Sequence, residues 1–324
     1  MKIPALLLVG SWPPPLGGVT IHVSRLDCSL KAAGIPHDCI DIRRTRFVSL
    51  LYAVARHEVC HLHLSSPRAQ LLLVLWAACW RTWSVLTLHS DLNRHRGIRR
   101  QMVRLAVAIC DVPVLLNQGS FDKASRLNRR AVQISAFIPP ADIDPLPAWL
   151  QATLTEHMAR YRCGQPVIAT NAFDLAYNAD GREVYGIFDL IDWSAGRSLA
   201  LVISDPSARY EAEARRRYAA DEIERVLFLT GPHSFVAVLA QVDVFIRNTV
   251  TDGDSLSIHE ALAQCKAVWA TDVVARPRGT YLFRRLDEID PYRPAWTGWA
   301  PPPTVEQLIN IYHAGRNSER HRVS

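Results

Sequence analysis

A chain of 324 residues has room for about two domains of ordinary size, and 49% hydrophobic with 21% charged residues excludes a disordered or fibrous polypeptide. The longest apolar run, Leu71 to Trp80, is roughly half the ~20 residues a membrane-spanning helix needs. Seven scattered cysteines with no CxxC pair indicate neither a disulfide framework nor a zinc ribbon, and most of them are expected to be small buried hydrophobes.

In chain order, the opening apolar stretch is too short for a signal peptide and runs into prolines, so it reads as a first strand, Ala5–Val9. On that reading the chain is cytoplasmic and not secreted. Further strands are predicted at His37–Ile42, Val59–Leu64, Ser84–Leu88, Val112–Leu116 and Ala131–Ile134. Helical patterns lie between them near Thr20–Ala33, Pro67–Thr82, Arg99–Ala108 and Phe121–Arg129. Ile138-Pro139-Pro140, followed by Pro145 and Pro147, breaks the alternation and marks a domain boundary. The pattern restarts with a helix at Ala148–Tyr161 and strands at Val167–Thr170, Leu199–Ile203, Val226–Leu229, Val242–Ile246 and Ala267–Ala270. The intervening helices are read near Tyr185–Trp193, Pro206–Tyr218, Ser234–Ala240 and Ser255–Gln264. A last helix is expected at Thr304–Tyr312 with a frayed polar end. The pattern is that of an α/β protein with two α/β halves, divided as 1–144, 145–303 and a tail over 304–324.

Charge divides the same way. Residues 1–150 hold 18 Lys and Arg against 9 Asp and Glu, and the rest 19 against 22, which gives the net +6. Arginines cluster at Arg43, Arg44 and Arg46, at Arg94 to Arg104, and at Arg126 to Arg130. Such a half can face anionic lipid or a phosphate-bearing acceptor, or be a plain solvated surface. No nucleic-acid-binding module accompanies it, so nucleic acid is not expected as a partner.

The densest chemistry lies in Thr251-Asp252-Gly253-Asp254-Ser255-Leu256-Ser257-Ile258-His259-Glu260-Ala261-Leu262-Ala263, which turns from an apolar strand into a helix. Asp254 or Ser255 is placed to cap that helix, whose N-terminus offers backbone N–H groups to an anion such as a diphosphate. An acid one to two turns inside, Glu260, can accept hydrogen bonds from sugar hydroxyls. Earlier in the chain, the Pro-rich loop ending in Gly17 and Gly18 allows close backbone approach to a ligand, and it lacks the dinucleotide fingerprint G-x-G-x-x-G. His89 and Asn117 follow predicted strands, where ligands of open α/β sheets collect. His61 and His63 share one face of a strand, but no third metal ligand is suggested beside them. His22 reads as a helix-face residue.

The Asp252–Ala263 stretch resembles the donor-site motif of retaining glycosyltransferases of the GT-B fold, the large family-four type, in which two acids stand eight residues apart around a Gly-containing loop. The resemblance implies two Rossmann-like domains with a cleft between them. Glu260 would then hold the ribose, Asp252 and His89 would face the transferred sugar, and Gly253, Asp254 and Ser255 would lie near the phosphates. Asp252 is one methylene shorter than the Glu usual there, and Asp254 stands where the loop usually has an aromatic. The implied partners are a nucleotide-sugar donor and a glycan or lipid-linked acceptor, with peripheral contact to an anionic membrane permitted by the basic half. No cofactor is implied and no metal, because the loop of this family is metal-independent. One departure matters. Where the family places an Arg and a Lys on the diphosphate, this chain has Asn171 and Tyr185. Arg182, Arg247 or Arg276 supplies the missing charge, or the protein is a degenerate relative that binds a sugar nucleotide or a partner enzyme without catalysis. An epimerase or dehydrogenase is disfavoured, since neither a dinucleotide loop nor a Tyr-x-x-x-Lys pair is present.

Overall fold

The computed structural model describes residues 6–14, 17–90, 92, 95–178 and 180–320, the last three by backbone only. Ala5 of the first predicted strand, Pro15 and Leu16 of the glycine-rich loop, Asp91, Arg94 and the tail beyond 320 lie outside the described residues. The chain forms two compact units, Met1–Ala141 with Pro302–Ser324, and Asp142–Pro301.

The first unit is a parallel sheet in the order β2-β1-β3-β4-β5-β6, made of Leu6–Gly10 (β1), His37–Asp41 (β2), Val59–His63 (β3), Trp83–Leu88 (β4), Val112–Leu115 (β5) and Val132–Gln133 (β6). Its helices are Gly18–Ala32 (α1), Phe47–Arg56 (α2), Pro67–Cys79 (α3), Gly97–Ile109 (α4) and Gln118–Ala124 (α5). Strand side chains alternate between the two faces. Leu6 and Leu8 therefore join one apolar cluster with Val23, Leu26 and Leu30 of α1, while Leu7 and Val9 join another with Leu73 and Val74 of α3. Helix α5 starts three residues before the predicted position because the Asn117 side chain accepts a hydrogen bond from Ser120 N at 2.8 Å and caps it.

The second unit repeats the plan in the order β12-β11-β10-β7-β8-β9. Its helices Ala148–Tyr161 (α6), Ile187–Ala195 (α7), Arg209–Arg217 (α8), Phe235–Leu239 (α9) and Leu256–Ala263 (α10) are interleaved with the strands. These strands are Ile168–Asn171 (β7), Leu201–Asp205 (β8), Val226–Thr230 (β9), Val244–Arg247 (β10), Ala267–Thr271 (β11) and Thr280–Phe283 (β12). Period-2 sorting recurs: Leu201 and Ile203 bury on one side of the sheet, Ala200 and Val202 on the other.

Three features differ from the sequence reading. Helix α2 and strand β12 are additional elements: α2 buries only Leu50 and Val54, a one-turn repeat hidden in a run apolar on most sides. The final helix, Thr304–Arg320 (α11), does not stop at Tyr312. Leu308 and Tyr312 bury in the first unit's core, and Gly315 lets the helix lie against Trp83, whose ring would be 2.5 Å from an added Cβ. Only Cys60 and Cys110 are buried; the other five cysteines are exposed.

Candidate functional site

In the second unit the strand β10 ends in Arg247, and the chain turns through Asp252 and Gly253 into α10, whose N-cap is Ser255. The turn is held by Thr271 Oγ1, which donates to Thr249 O at 2.7 Å, and by Asn248 Nδ2, which donates to Gly186 O at 3.0 Å. These contacts fix where Asp252 points. Its Oδ2 accepts from Arg276 Nη1 at 2.7 Å and from Arg247 Nε at 3.2 Å. All three side chains are withdrawn from water, with exposures of 9% for Asp252, 2% for Arg276 and 12% for Arg247. Burial by itself disfavours the charged carboxylate, but the two guanidiniums outweigh it and hold Asp252 below the ordinary aspartate range.

Two arginines on one carboxylate leave the cluster with a surplus positive charge. Arg247 also donates from Nη1 to Asn171 O at 3.3 Å and lies 5.0 Å over the Tyr185 ring, which supports it as an aromatic face supports a cation. Arg276 spends Nε on Thr271 O at 3.0 Å, while its Nη2 is buried with no hydrogen-bond partner. The Asn171 Oδ1 is likewise buried without one. An anion is the chemical species that an unspent, buried guanidinium N–H suits best.

Glu260 is buried at 6% exposure on α10. Its neighbour His259 faces Asp254, Nε2 to Oδ1 at 2.8 Å, which takes up the side chain standing where an aromatic was expected. The N-terminus of α7 is capped from within: Glu183 accepts from Ile187 N and Tyr185 N, both at 2.6 Å, and also binds the Tyr210 hydroxyl. Burial pushes the Glu183 carboxyl above its usual value despite these bonds. Gly186 enters that helix at φ +58°, and a Cβ there would sit 2.5 Å from the Asn248 carbonyl oxygen, so only glycine fits. Of the three arginines proposed from sequence to supply charge, Arg247 and Arg276 converge on one site. Arg182 does not: it is exposed in the turn bridged by Tyr177 and Glu183, and its backbone N–H donates to Asn178 Oδ1.

In the first unit, Gly17 is the N-cap of α1 in extended backbone, and its N–H donates to Thr20 Oγ1 at 3.0 Å. A Cβ added to Gly18 would meet no described atom within 4 Å, so packing gives no reason for that glycine. Asn117 is spent on capping α5. His89 follows β4 and is joined to His63, Nε2 to Nδ1 at 3.0 Å. Here the sequence reading falls short, because His63 has further histidine neighbours. The register pairs His61 with Val85 and His63 with Thr87, so the alternation puts His61, His63 and His89 on one face of the sheet. Helix α1 covers that face and carries His22, which is buried. The usable signal was β3 lying between β1 and β4, which gathers the ends of three separate segments.

No protein-family profile matches the sequence, and no curated protein matches it. Solved structures do. Anabaena HepE, in complex with UDP-glucose, is similar over 97% of this chain and 90% of its own at TM-score 0.59 and 12% identity. The sucrose-phosphate synthase of Thermosynechococcus elongatus matches over 94% and 88% at TM-score 0.59 and 16% identity. A glycosyltransferase from Rickettsia africae matches over 95% and 88% at TM-score 0.58 and 13% identity. The two parallel sheets with flanking helices are the two Rossmann-like domains of the GT-B glycosyltransferase fold.

Proposed function

We propose that this protein is a retaining glycosyltransferase that moves a sugar, a hexose foremost, from a nucleotide-sugar donor to a glycan or lipid-linked acceptor in polysaccharide or glycoconjugate assembly. The observation that carries the reading is the buried Arg247–Asp252–Arg276 cluster with its surplus positive charge and unspent Arg276 Nη2. A departing nucleoside diphosphate needs compensating cations, and here two arginines are preorganised to supply them. In this reading Glu260 holds the ribose, the Gly253–Ser255 backbone and the start of α10 meet the phosphates, and Asp252 faces the sugar. The leaving phosphate oxygen takes the proton of the acceptor hydroxyl as the new glycosidic bond forms on the same face, so the protein supplies position and charge, not a strong base. A fold shared with HepE, solved with UDP-glucose, supports a UDP-sugar as the first donor to try.

The first unit is the acceptor side of this reading. Phe47, Val48 and Tyr52 of α2 are exposed at 51%, 76% and 60%, next to exposed Arg44, Arg46 and Arg56, which supports peripheral contact with anionic lipid on the cytoplasmic face. Not every arginine serves it. Arg43 braces the turn after β1 through Trp12 O and Pro14 O, and Arg130 pairs with Asp111 at 3.5 Å and lies over Trp83. No helix among the described residues is long and apolar enough to cross a membrane.

A second reading, a sugar-nucleotide-binding relative without catalysis, is favoured by Asn171 and Tyr185 at the places of the usual cationic pair. One experiment separates them: calorimetric titration with UDP-, GDP-, ADP- and dTDP-sugars without metal, followed by product analysis with the donor that binds. Saturable binding lost in Glu260→Ala, with transfer, supports the enzyme. Binding without transfer to any glycan or lipid acceptor supports the second reading, and no binding by folded protein refutes both.

A further inference from the structure

We propose that His22, His63 and His89 form a binding site for a divalent transition-metal ion, zinc foremost, in the first unit. Their ligand nitrogens all lie within 4.8 Å of one another. A tetrahedral zinc with bonds of about 2.0–2.1 Å sets its nitrogens roughly 3.3 Å apart. The His63 Nδ1–His89 Nε2 pair, at 3.0 Å, is already near that spacing, and His22 offers a nitrogen within 4.8 Å of both.

The tautomers suit the purpose. His22 Nδ1 lies 2.6 Å from the carbonyl oxygen of Ala136, an acceptor only, so Nδ1 carries the proton and Nε2 the lone pair. A ring whose second nitrogen donates to a carbonyl is the usual arrangement of a metal-bound histidine. The ligand atom of His63 is Nδ1, which faces His89 Nε2, while its Nε2 is fully buried with no hydrogen-bond partner. His61 stands behind the site and is not a ligand: its nitrogens are taken by Tyr312 Oη at 2.6 Å and Thr87 Oγ1 at 2.7 Å, and its ring packs 4.1 Å from that of His63. Three imidazoles and no thiolate among the described residues select zinc, copper or nickel over magnesium or calcium. His89 is the least buried of the three.

The other convergent set, Asp27, His37 and Cys39, lacks this character. Asp27 is already bonded by Trp12 Nε1, Lys31 Nζ, His37 Nε2 and Cys39 Sγ, and burial holds the Cys39 thiol up at about 12. It therefore serves as the control.

The test is titration of untagged full-length protein with zinc by calorimetry and with cobalt(II) by visible absorption. One equivalent is expected, with d–d bands of a low-coordinate nitrogen site and no thiolate charge-transfer band. Binding should fall at least tenfold in His63→Gln and in His89→Gln and persist in His37→Gln, with folding of each variant checked by circular dichroism. No stoichiometric binding to the wild-type protein overturns the proposal whatever the variants do. So does a thiolate band, or binding unchanged in folded His63→Gln and His89→Gln.

Discussion

Replacing Asp252 by Asn keeps the shape of the side chain and removes the charge that Arg276 and Arg247 share at 2.7 and 3.2 Å. At an effective dielectric of about 20, the two contacts carry about 6 and 5 kcal/mol of Coulomb attraction. Desolvation cancels much of that, and stripping a buried ion pair of one partner costs roughly 3–5 kcal/mol. For a unit of this size the loss corresponds to a fall of ~10 °C in unfolding midpoint. Two facing guanidiniums then need an anion, and a nucleoside diphosphate can provide one. At about 100 times its Kd, a ligand returns ~2.7 kcal/mol, so UDP should raise the midpoint of Asp252→Asn by more than it raises that of the wild type. Differential scanning fluorimetry and urea unfolding, each with and without UDP or pyrophosphate, measure both effects. The pH profile gives a second check. A carboxyl held below 3.8 stabilises the fold fully above that pH and loses its contribution as pH falls further, so the stability gap between the two proteins should close in acid. A variant as stable as the wild type, or equal UDP shifts in both proteins, refutes the reasoning.

Three further outcomes follow from other contacts. Gly186→Ala, at φ +58° and facing the Asn248 backbone at 2.5 Å, should cost more than the ~1–2 kcal/mol of a left-handed residue alone, and an unchanged urea midpoint would count against it. Tyr312→Phe removes the hydroxyl that meets His61 Nδ1 at 2.6 Å and should cost roughly 1–3 kcal/mol for a buried polar atom left alone; circular dichroism during denaturation reads the loss. His157 is held neutral by burial, its pKa lowered to about 4 from 6.5, so its contribution is complete above 6.5 and fades as pH falls toward 4. The stability difference between wild type and His157→Gln should shrink over that window, and a pH-independent difference would contradict the assignment.

The fold was legible because most strands announce themselves as short apolar runs: β3 at Val59–His63 and β5 at Val112–Leu115 fall inside the stretches read from sequence. Helix α2 was not, since Phe47, Val48 and Tyr52 are apolar but exposed and blur the stripe made by Leu50 and Val54. Strand β12 was hidden by Thr280 and by the arginines that follow Phe283. At the candidate site, sequence brought out Arg247, Asp252 and Arg276 separately. Their convergence depends on which strands are neighbours, because Arg276 reaches Asp252 across 24 residues. The same holds for the histidines. His22 and His63 are 41 positions apart, and only the β1-β3-β4 order places the helix after β1 over the face that carries His63.

Helix α11 gives the first unit a history different from the second. The second unit is one continuous segment, Asp142–Pro301, whereas the first is completed by residues from 302 onward. During synthesis the whole second unit therefore emerges before the element that supplies Leu308 to the earlier core and Tyr312 to His61. A ribosome-bound chain ending before residue 302 can close its younger unit while its older one still lacks a helix. A fragment ending at residue 141 is deprived in the same way, so separate production of the first unit calls for a fusion that returns residues 302–320 to it.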